Sequence, residues 1–314
     1  MAKVLITGGA GFIGRHVVRQ FLEHGWEVVV LDVDGFDELE MENTENIVAI
    51  QGDINSRENL LEAMHTCDAV VHLAAVVSVP QSIEEPEKTM AVNVDGTRNV
   101  LQCALDGGVS NVVVASSAAV YGTCPDMPLI ESAPVECLSP YAQSKATNEE
   151  DVVGFRAKGL NAIALRFFNV YGPGQRSDSS YASLIPSFLH AMKNGERPTI
   201  HGDGEQTRDF VHVHDLARAI YKTVARKEPY EHAVANIASG TQISVLEVIR
   251  CINQFLKERT NMETIVPHHG DTRKGDVRHS CGSAERITNM IDWKAKISFE
   301  KGIGLLLENK EERQ

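Results

Sequence analysis

Two short stretches of this chain carry side chains suited to proton chemistry. "SSAAVYG", residues 116–122, ends an apolar run with two small hydroxyls, and "SPYAQSK", residues 139–145, opens an amphipathic one. Tyr141 and Lys145 stand at i and i+4, so on a helix they share one face. Ser139 suits the cap of that helix and Pro140 its first turn, which sets where the pair projects. A free phenol, with a pKa of about 10, is a poor base at neutral pH. A nearby ammonium and the positive charge of an oxidised nicotinamide both favour phenolate and move that value toward the working range. Ser117, at the carboxyl end of the preceding strand, is placed to hydrogen-bond the same substrate oxygen. Ser117, Tyr141 and Lys145 together read as a device that takes a proton from an alcohol while hydride leaves its carbon. A lone Y-x-x-x-K more often means a packed tyrosine and a solvated lysine. The context described next reverses that reading.

"VLITGGAGFIGRHVVRQFL" places Gly8, Gly11 and Gly14, with Phe12 and Ile13 among them, directly after a strand and at the opening of a helix. Glycines there permit a tight turn, approach of a pyrophosphate to backbone N–H groups, and close packing of helix on strand. The second apolar strand ends in Asp32, eighteen residues past Gly14, where a carboxylate accepts from an adenosine ribose. A carboxylate at that point repels a 2′-phosphate, so the expected cofactor is NAD. Asp53 and Ile54, at the end of the third strand, are expected beside the adenine.

These residues need a scaffold, and the first half supplies one. Short β-branched runs ("KVLITG", "EVVVLD", "NIVAIQGD", "AVVHLAA", "NVVVASS") alternate with amphipathic stretches. Continuously apolar strands separated by helices imply a parallel sheet covered on both faces, a doubly wound α/β domain of Rossmann type. The expected division is a cofactor domain over residues 1–168 and a smaller, interleaved substrate domain over 169–314. Residues 206–228 are expected to return to the first. Formal net charge is −13 over 314 residues, which disfavours nucleic acid and anionic membrane as partners. No run of eighteen apolar residues occurs, and the N-terminus lacks a signal-like apolar region, so a cytoplasmic location is expected. Six scattered cysteines form no C-x-x-C and read as reduced structural thiols.

As a set, "TGGAGFIG", "GDI", "HLAA", "NVDGT", "SSAAVYG", "SPYAQSK", "LRFFNVYGPGQ", "GDGEQTRDFVHVHDLA" and "RKGDVRHS" span essentially the whole chain. The sequence resembles the extended short-chain dehydrogenases/reductases, and among them the nucleotide-sugar 4-epimerases of the UDP-galactose 4-epimerase type. The resemblance implies that Ser117, Tyr141 and Lys145 are catalytic. It implies that Leu73, Ala74, Ala75, Asn93, Ser116 and Phe168 join the glycine loop, Asp32, Asp53 and Ile54 around NAD. Val77 departs from the galactose-type pattern, which has Lys there. For a UDP-sugar it implies Asn169, Arg208 and Arg273 at the diphosphate, Asp276 at the ribose, and Leu184, Thr199 and His201 around the uracil. Guanidinium forks suit phosphate geometry and supply the local positive charge an acidic protein needs.

Ser280, four residues beyond Asp276, matches a position that gates the hexose 2-substituent, where a small side chain admits an N-acetyl group. Ser78, in "SVPQS", is expected near the sugar. Interconversion of UDP-GlcNAc and UDP-GalNAc is therefore expected, with UDP-Glc/UDP-Gal activity also possible. Dehydratases of this type resemble "TDEVYG" where this chain has Ala118 and Ala119, so dehydration is disfavoured. A UDP-glucuronate 4-epimerase and a non-catalytic NAD-binding regulator are the remaining alternatives. "HVHD", residues 212–215, is read as a strand end and no metal is expected. Helices near 88–105 and 142–157 resemble a pair that forms a homodimer in this family.

Overall fold

The structure, a computed structural model, describes residues 1–36, 45–176, 183–260, 262–272 and 277–308. Seven parallel strands form the central sheet: β1 (Lys3–Thr7), β2 (Glu27–Asp32), β3 (Ile47–Gln51), β4 (Ala69–His72), β5 (Asn111–Ser117), β6 (Ala162–Phe167) and β7 (Val234–Ile237). Their spatial order is β7-β6-β5-β4-β1-β2-β3, so the winding reverses between β1 and β4. Ligands in such sheets bind at the carboxyl ends of the strands beside that reversal. Gly8 and Leu73 follow β1 and β4 there.

Helix α1 (Phe12–Glu23) follows β1, α2 (Arg57–Met64) follows β3, α3 (Thr97–Asp106) precedes β5 and α4 (Pro140–Ala157) precedes β6. Helix α5 (Leu184–Lys193) belongs to the C-terminal part, α6 (Val213–Val224) returns to the sheet, and α7 (Val245–Thr260) leaves it again. Alternate strand residues feed two cores. Val4, Ile6, Val28 and Val30 pack under α1 and α6, while Leu5, Val29 and Leu31 pack under α2, α3 and α4. Burial on both faces explains why these strands read as unbroken apolar runs rather than alternating ones. A third core, with Ile185, Met192, Val248, Ile252 and Ile303 among its buried residues, lies in the C-terminal part.

Within residues 206–228, expected to return as a strand leading into a helix, the strands do not join the main sheet. Thr207–Arg208 and Phe210–His212 pair in small separate sheets, the latter with Asn169–Tyr171. The return to the main sheet is made by α6 and then by β7, which adds beside β6. The run "VANI" is too short to mark itself as a sheet strand, and only its long-range pairing makes it one.

Burial lowers the pKa of four histidines, His16, His72, His212 and His214. His72 is held down to about 3, with Lys145 adding to the burial effect. His16 and His212 are each held down to about 4, chiefly by burial. The unfolded chain binds more protons than the folded one between the ordinary histidine value of about 6.5 and these lowered values. Stability present above that value is therefore lost as pH falls toward 4. The urea midpoint is expected to drop between pH 7 and pH 5, and a flat midpoint over that interval would contradict the assignment.

Candidate active site

The side chains expected to react, Ser117, Tyr141 and Lys145, meet where β5 ends and α4 begins. The Ser139 hydroxyl accepts from the Ala142 N–H at 3.1 Å, and Pro140 opens the helix, so local chemistry determines where α4 starts. The Tyr141 N–H donates to the Ser82 hydroxyl at 3.2 Å. Lys145 is buried, and its Nζ donates to the Ala115 carbonyl at 3.0 Å while standing 5.9 Å from the centre of the Tyr141 ring. Burial lowers the Lys145 ammonium to about 8. It raises the Tyr141 phenol, an effect opposed by the Ser117 hydroxyl. In this state Tyr141 is protonated at neutral pH, and deprotonation requires further positive charge in the cavity beside it.

That cavity, of about 620 Å³, runs along the carboxyl ends of the strands. Gly8, Gly11, Phe12, Ile13 and Gly14 line it, with Asp32, Asp53 and Ile54 also on its wall. Leu73, Ala74, Ala75, Ser116, Ser117, Tyr141, Lys145 and Phe168 line it as well, and so does Val77, which is 69% exposed. The lining fits NAD on three grounds. Helix α1 has no side-chain cap and no acidic residue in its first turn, leaving its N-terminal N–H groups for an anion. At Gly8, with φ +70°, a Cβ would lie 2.6 Å from the Ala74 nitrogen, so only glycine allows the two loops to meet. Asp32 accepts from Ala10 N–H at 3.0 Å and Val33 N–H at 2.8 Å, which orients its carboxylate at the end of β2.

His72 ties these loops together. Thr97 Oγ1 donates to the Asn93 carbonyl at 2.6 Å, so it accepts from His72 Nε2 at 2.9 Å. The proton thus sits on Nε2, and Nδ1 accepts from Thr7 Oγ1 at 2.6 Å. The strand ends before Gly8 and Leu73 are held in register by this chain.

A second cavity, of about 360 Å³, adjoins the first; Val170, Gln175 and Ser183 line both. Asn169, Leu184, Thr199, His201 and Arg208 line it, although they come from four separate segments. Buried Asp209 secures this wall. Its carboxylate accepts from the N–H groups of Ser239, Gly240 and Gly282 and from the Ser239 hydroxyl, and its carbonyl accepts from Asn169.

Three residues expected at ligands lie outside both cavity linings. Asn93 is fully buried and lines neither cavity; its amide oxygen accepts from Val76 N–H at 2.7 Å, and its Nδ2 donates to the Val76 carbonyl and the Ser144 hydroxyl. It shapes the cofactor wall from behind. Ser78 is used as a helix cap, accepting from Gln81 N–H at 3.2 Å, and lies outside both linings. Ser280 is 9% exposed and also outside them, because its N–H donates to the Thr207 carbonyl and draws the segment against that strand. Arg273 and Asp276 lie outside the described residues. His212 accepts from the His214 N–H at 3.2 Å and caps α6. Gln175, Ser183, Gln206 and Phe210 also line the second cavity; Gln175, Gln206 and Phe210 lie within the motifs "LRFFNVYGPGQ" and "GDGEQTRDFVHVHDLA", but nothing in their type or spacing assigned them a role.

A parallel sheet whose winding reverses at a glycine turn, with a tyrosine and lysine on the helix beside a strand-end serine, defines an NAD-using enzyme of the short-chain dehydrogenase/reductase type. Comparison with known proteins narrows this class. Residues 4–238 match the NAD dependent epimerase/dehydratase family, and the chain belongs to it. A UDP-N-acetyl-alpha-D-glucosaminuronate decarboxylase of Bacillus cytotoxicus is 33% identical over 96% of this chain and 95% of its own. The structure of a UDP-N-acetylglucosamine 4-epimerase from Methanobrevibacter ruminantium in complex with UDP-N-acetylmuramic acid superposes with a TM-score of 0.88. It is 33% identical and covers 98% of both chains. MoeE5, in complex with UDP-glucuronic acid and NAD, superposes with a TM-score of 0.87 at 34% identity, again over 98% of both chains. Among the described residues no helix is long and apolar enough to cross a membrane.

Proposed function

We propose that this chain inverts C4 of a UDP-hexose or UDP-N-acetylhexosamine through a transient 4-keto sugar. The observation that carries the reading is the convergence of Ser117 and Tyr141 in the cofactor cavity, beside a second cavity with Asn169 and Arg208 on its wall. Bound NAD supplies a reversible hydride acceptor, held by the glycine turn and Asp32. Tyr141 takes the proton from the 4-hydroxyl, and Ser117 holds the same oxygen. Lys145 keeps positive charge near the phenolate. Asn169 and Arg208 grip the diphosphate, so the hexose alone is free to turn and present its other face. Tyr141 then returns the proton to the inverted alcohol.

Ala118 and Ala119 occupy the turn after Ser117, which leaves no carboxylate there for the loss of water and disfavours dehydration. A uronate is the second reading, favoured by the UDP-glucuronic acid bound to MoeE5 at 34% identity. The helices α3 and α4 pack against each other, and the resemblance of this pair to the family's dimerising helices extends the proposal to a homodimer.

Proton NMR of the purified protein with UDP-GlcNAc, UDP-Glc and UDP-GlcA separates these readings. Appearance of the C4-inverted signals of a neutral sugar is the expected result. Inversion of UDP-GlcA alone would install the uronate reading, and a 4-keto-6-deoxy product or no turnover at all would overturn the proposal.

A further inference from the structure

Residues 141, 145 and 149 of α4 form one stripe at i, i+4 and i+8. Its third member, Glu149, is 6% exposed and outside both cavity linings, so the chemistry makes no direct use of it. Its Oε1 accepts from the Ser116 hydroxyl at 2.6 Å. Arg166 on β6 donates to both carboxylate oxygens, at 2.8 and 2.7 Å. One turn earlier Lys145 donates to the Ala115 carbonyl. Three consecutive residues at the end of β5 thus meet three neighbouring turns of α4, though not in order: Ala115 accepts from Lys145, Ser116 donates to Glu149, and Ser117 lies at Tyr141.

We infer that Glu149 is a positioning residue which, through the Ser116 hydroxyl, sets the end of β5 against α4 so that Ser117 and Tyr141 reach one substrate oxygen. The inference rests on the proposed proton transfer at the 4-hydroxyl. Burying this ion pair gains little stability over an apolar pair of the same volume. Its geometric effect is larger, because a paired, bidentate carboxylate is a rigid acceptor. Arg166 is itself braced, lying 4.6 Å from the centre of the Tyr121 ring, and the Tyr121 hydroxyl donates to Asn236 on β7 at 2.7 Å. Helix α4 is therefore referenced to β5, β6 and β7 at the depth of the reacting groups. An oxygen displaced by about 1 Å from its reacting partner costs on the order of a hundredfold in rate.

Ser116→Ala tests this, since it cuts the link to β5 and leaves the Glu149–Arg166 pair intact. In the holoenzyme, with the UDP-sugar that the native protein inverts, kcat per NAD-loaded site is expected to fall at least about tenfold. KM is expected to stay unchanged, and because Ser116 also lines the cofactor cavity, counting only NAD-loaded sites separates any loss of cofactor from the loss of positioning. The primary isotope effect with substrate deuterated at C4 should rise as hydride transfer becomes limiting, and Ser116→Thr should restore most of the rate. A lowered melting temperature with unchanged kcat and isotope effect in both variants would reduce Glu149 to a structural brace and overturn the inference. A native protein that inverts no UDP-sugar would overturn the functional proposal and this inference together, which is a different result.

Discussion

Replacement of Tyr141 by Phe is expected to lower turnover at least about a hundredfold, the range general acid–base groups contribute, while NAD stays bound. The ring is retained, so the packing of α4 is undisturbed and only the ionisable oxygen is lost. Lys145 cannot substitute for it. Its Nζ is turned to the Ala115 carbonyl, and burial holds it at about 8, still mostly protonated near neutrality and so suited to serve as a charge rather than as the base. The decisive measurement is the rate of C4 inversion per mole of bound NAD. Near-normal turnover by Tyr141→Phe would remove the phenol from the chemistry. The pH profile carries the same information. Because burial raises the Tyr141 phenol, the native rate is expected to climb with pH until the phenolate form dominates, and Tyr141→Phe is expected to lose that limb.

The second large effect is expected at Gly14. A Cβ at this position would lie 2.2 Å from the Gly8 carbonyl oxygen and 2.6 Å from the Gly9 Cα, both backbone atoms that no rotamer change relieves. Gly14→Ala must therefore push α1 away from the β1 turn and spoil the approach of a pyrophosphate to the helix N-terminus. Overpacking of this kind costs about 1 to 3 kcal/mol, so NAD affinity should fall roughly ten- to a hundredfold. The fraction of NAD retained after gel filtration and titration of the emptied protein measures the loss. A variant that keeps its cofactor as the native chain does would show that α1 tolerates displacement and that the contact does not set affinity.

Much of this was legible from residue types. Short-range chemistry determines the start of α4, because a serine cap and a proline in the first turn need only their neighbours, and the Tyr–Lys pair follows by helical periodicity. The glycine turn is visible for a similar reason: three glycines between a strand and a helix answer a local steric demand. The cofactor wall was harder. Asn93 carries no mark of whether its amide meets a ligand or a loop, and only the fold shows both polar atoms taken by Val76. Ser280 likewise reads as a small residue near a sugar, yet its position is decided by pairing with Thr207, a residue far away in the chain.

The sequence by itself determined the sheet, the dinucleotide turn and the tyrosine–lysine face, since each follows from a period or a steric need within a few neighbouring residues. Tertiary structure decided that β7 completes the sheet, that Glu149 reaches Ser116, and that Gln175 and Ser183 stand where two cavities meet. Those facts depend on which distant segments pack together, and packing is a property of the whole chain that no local pattern encodes.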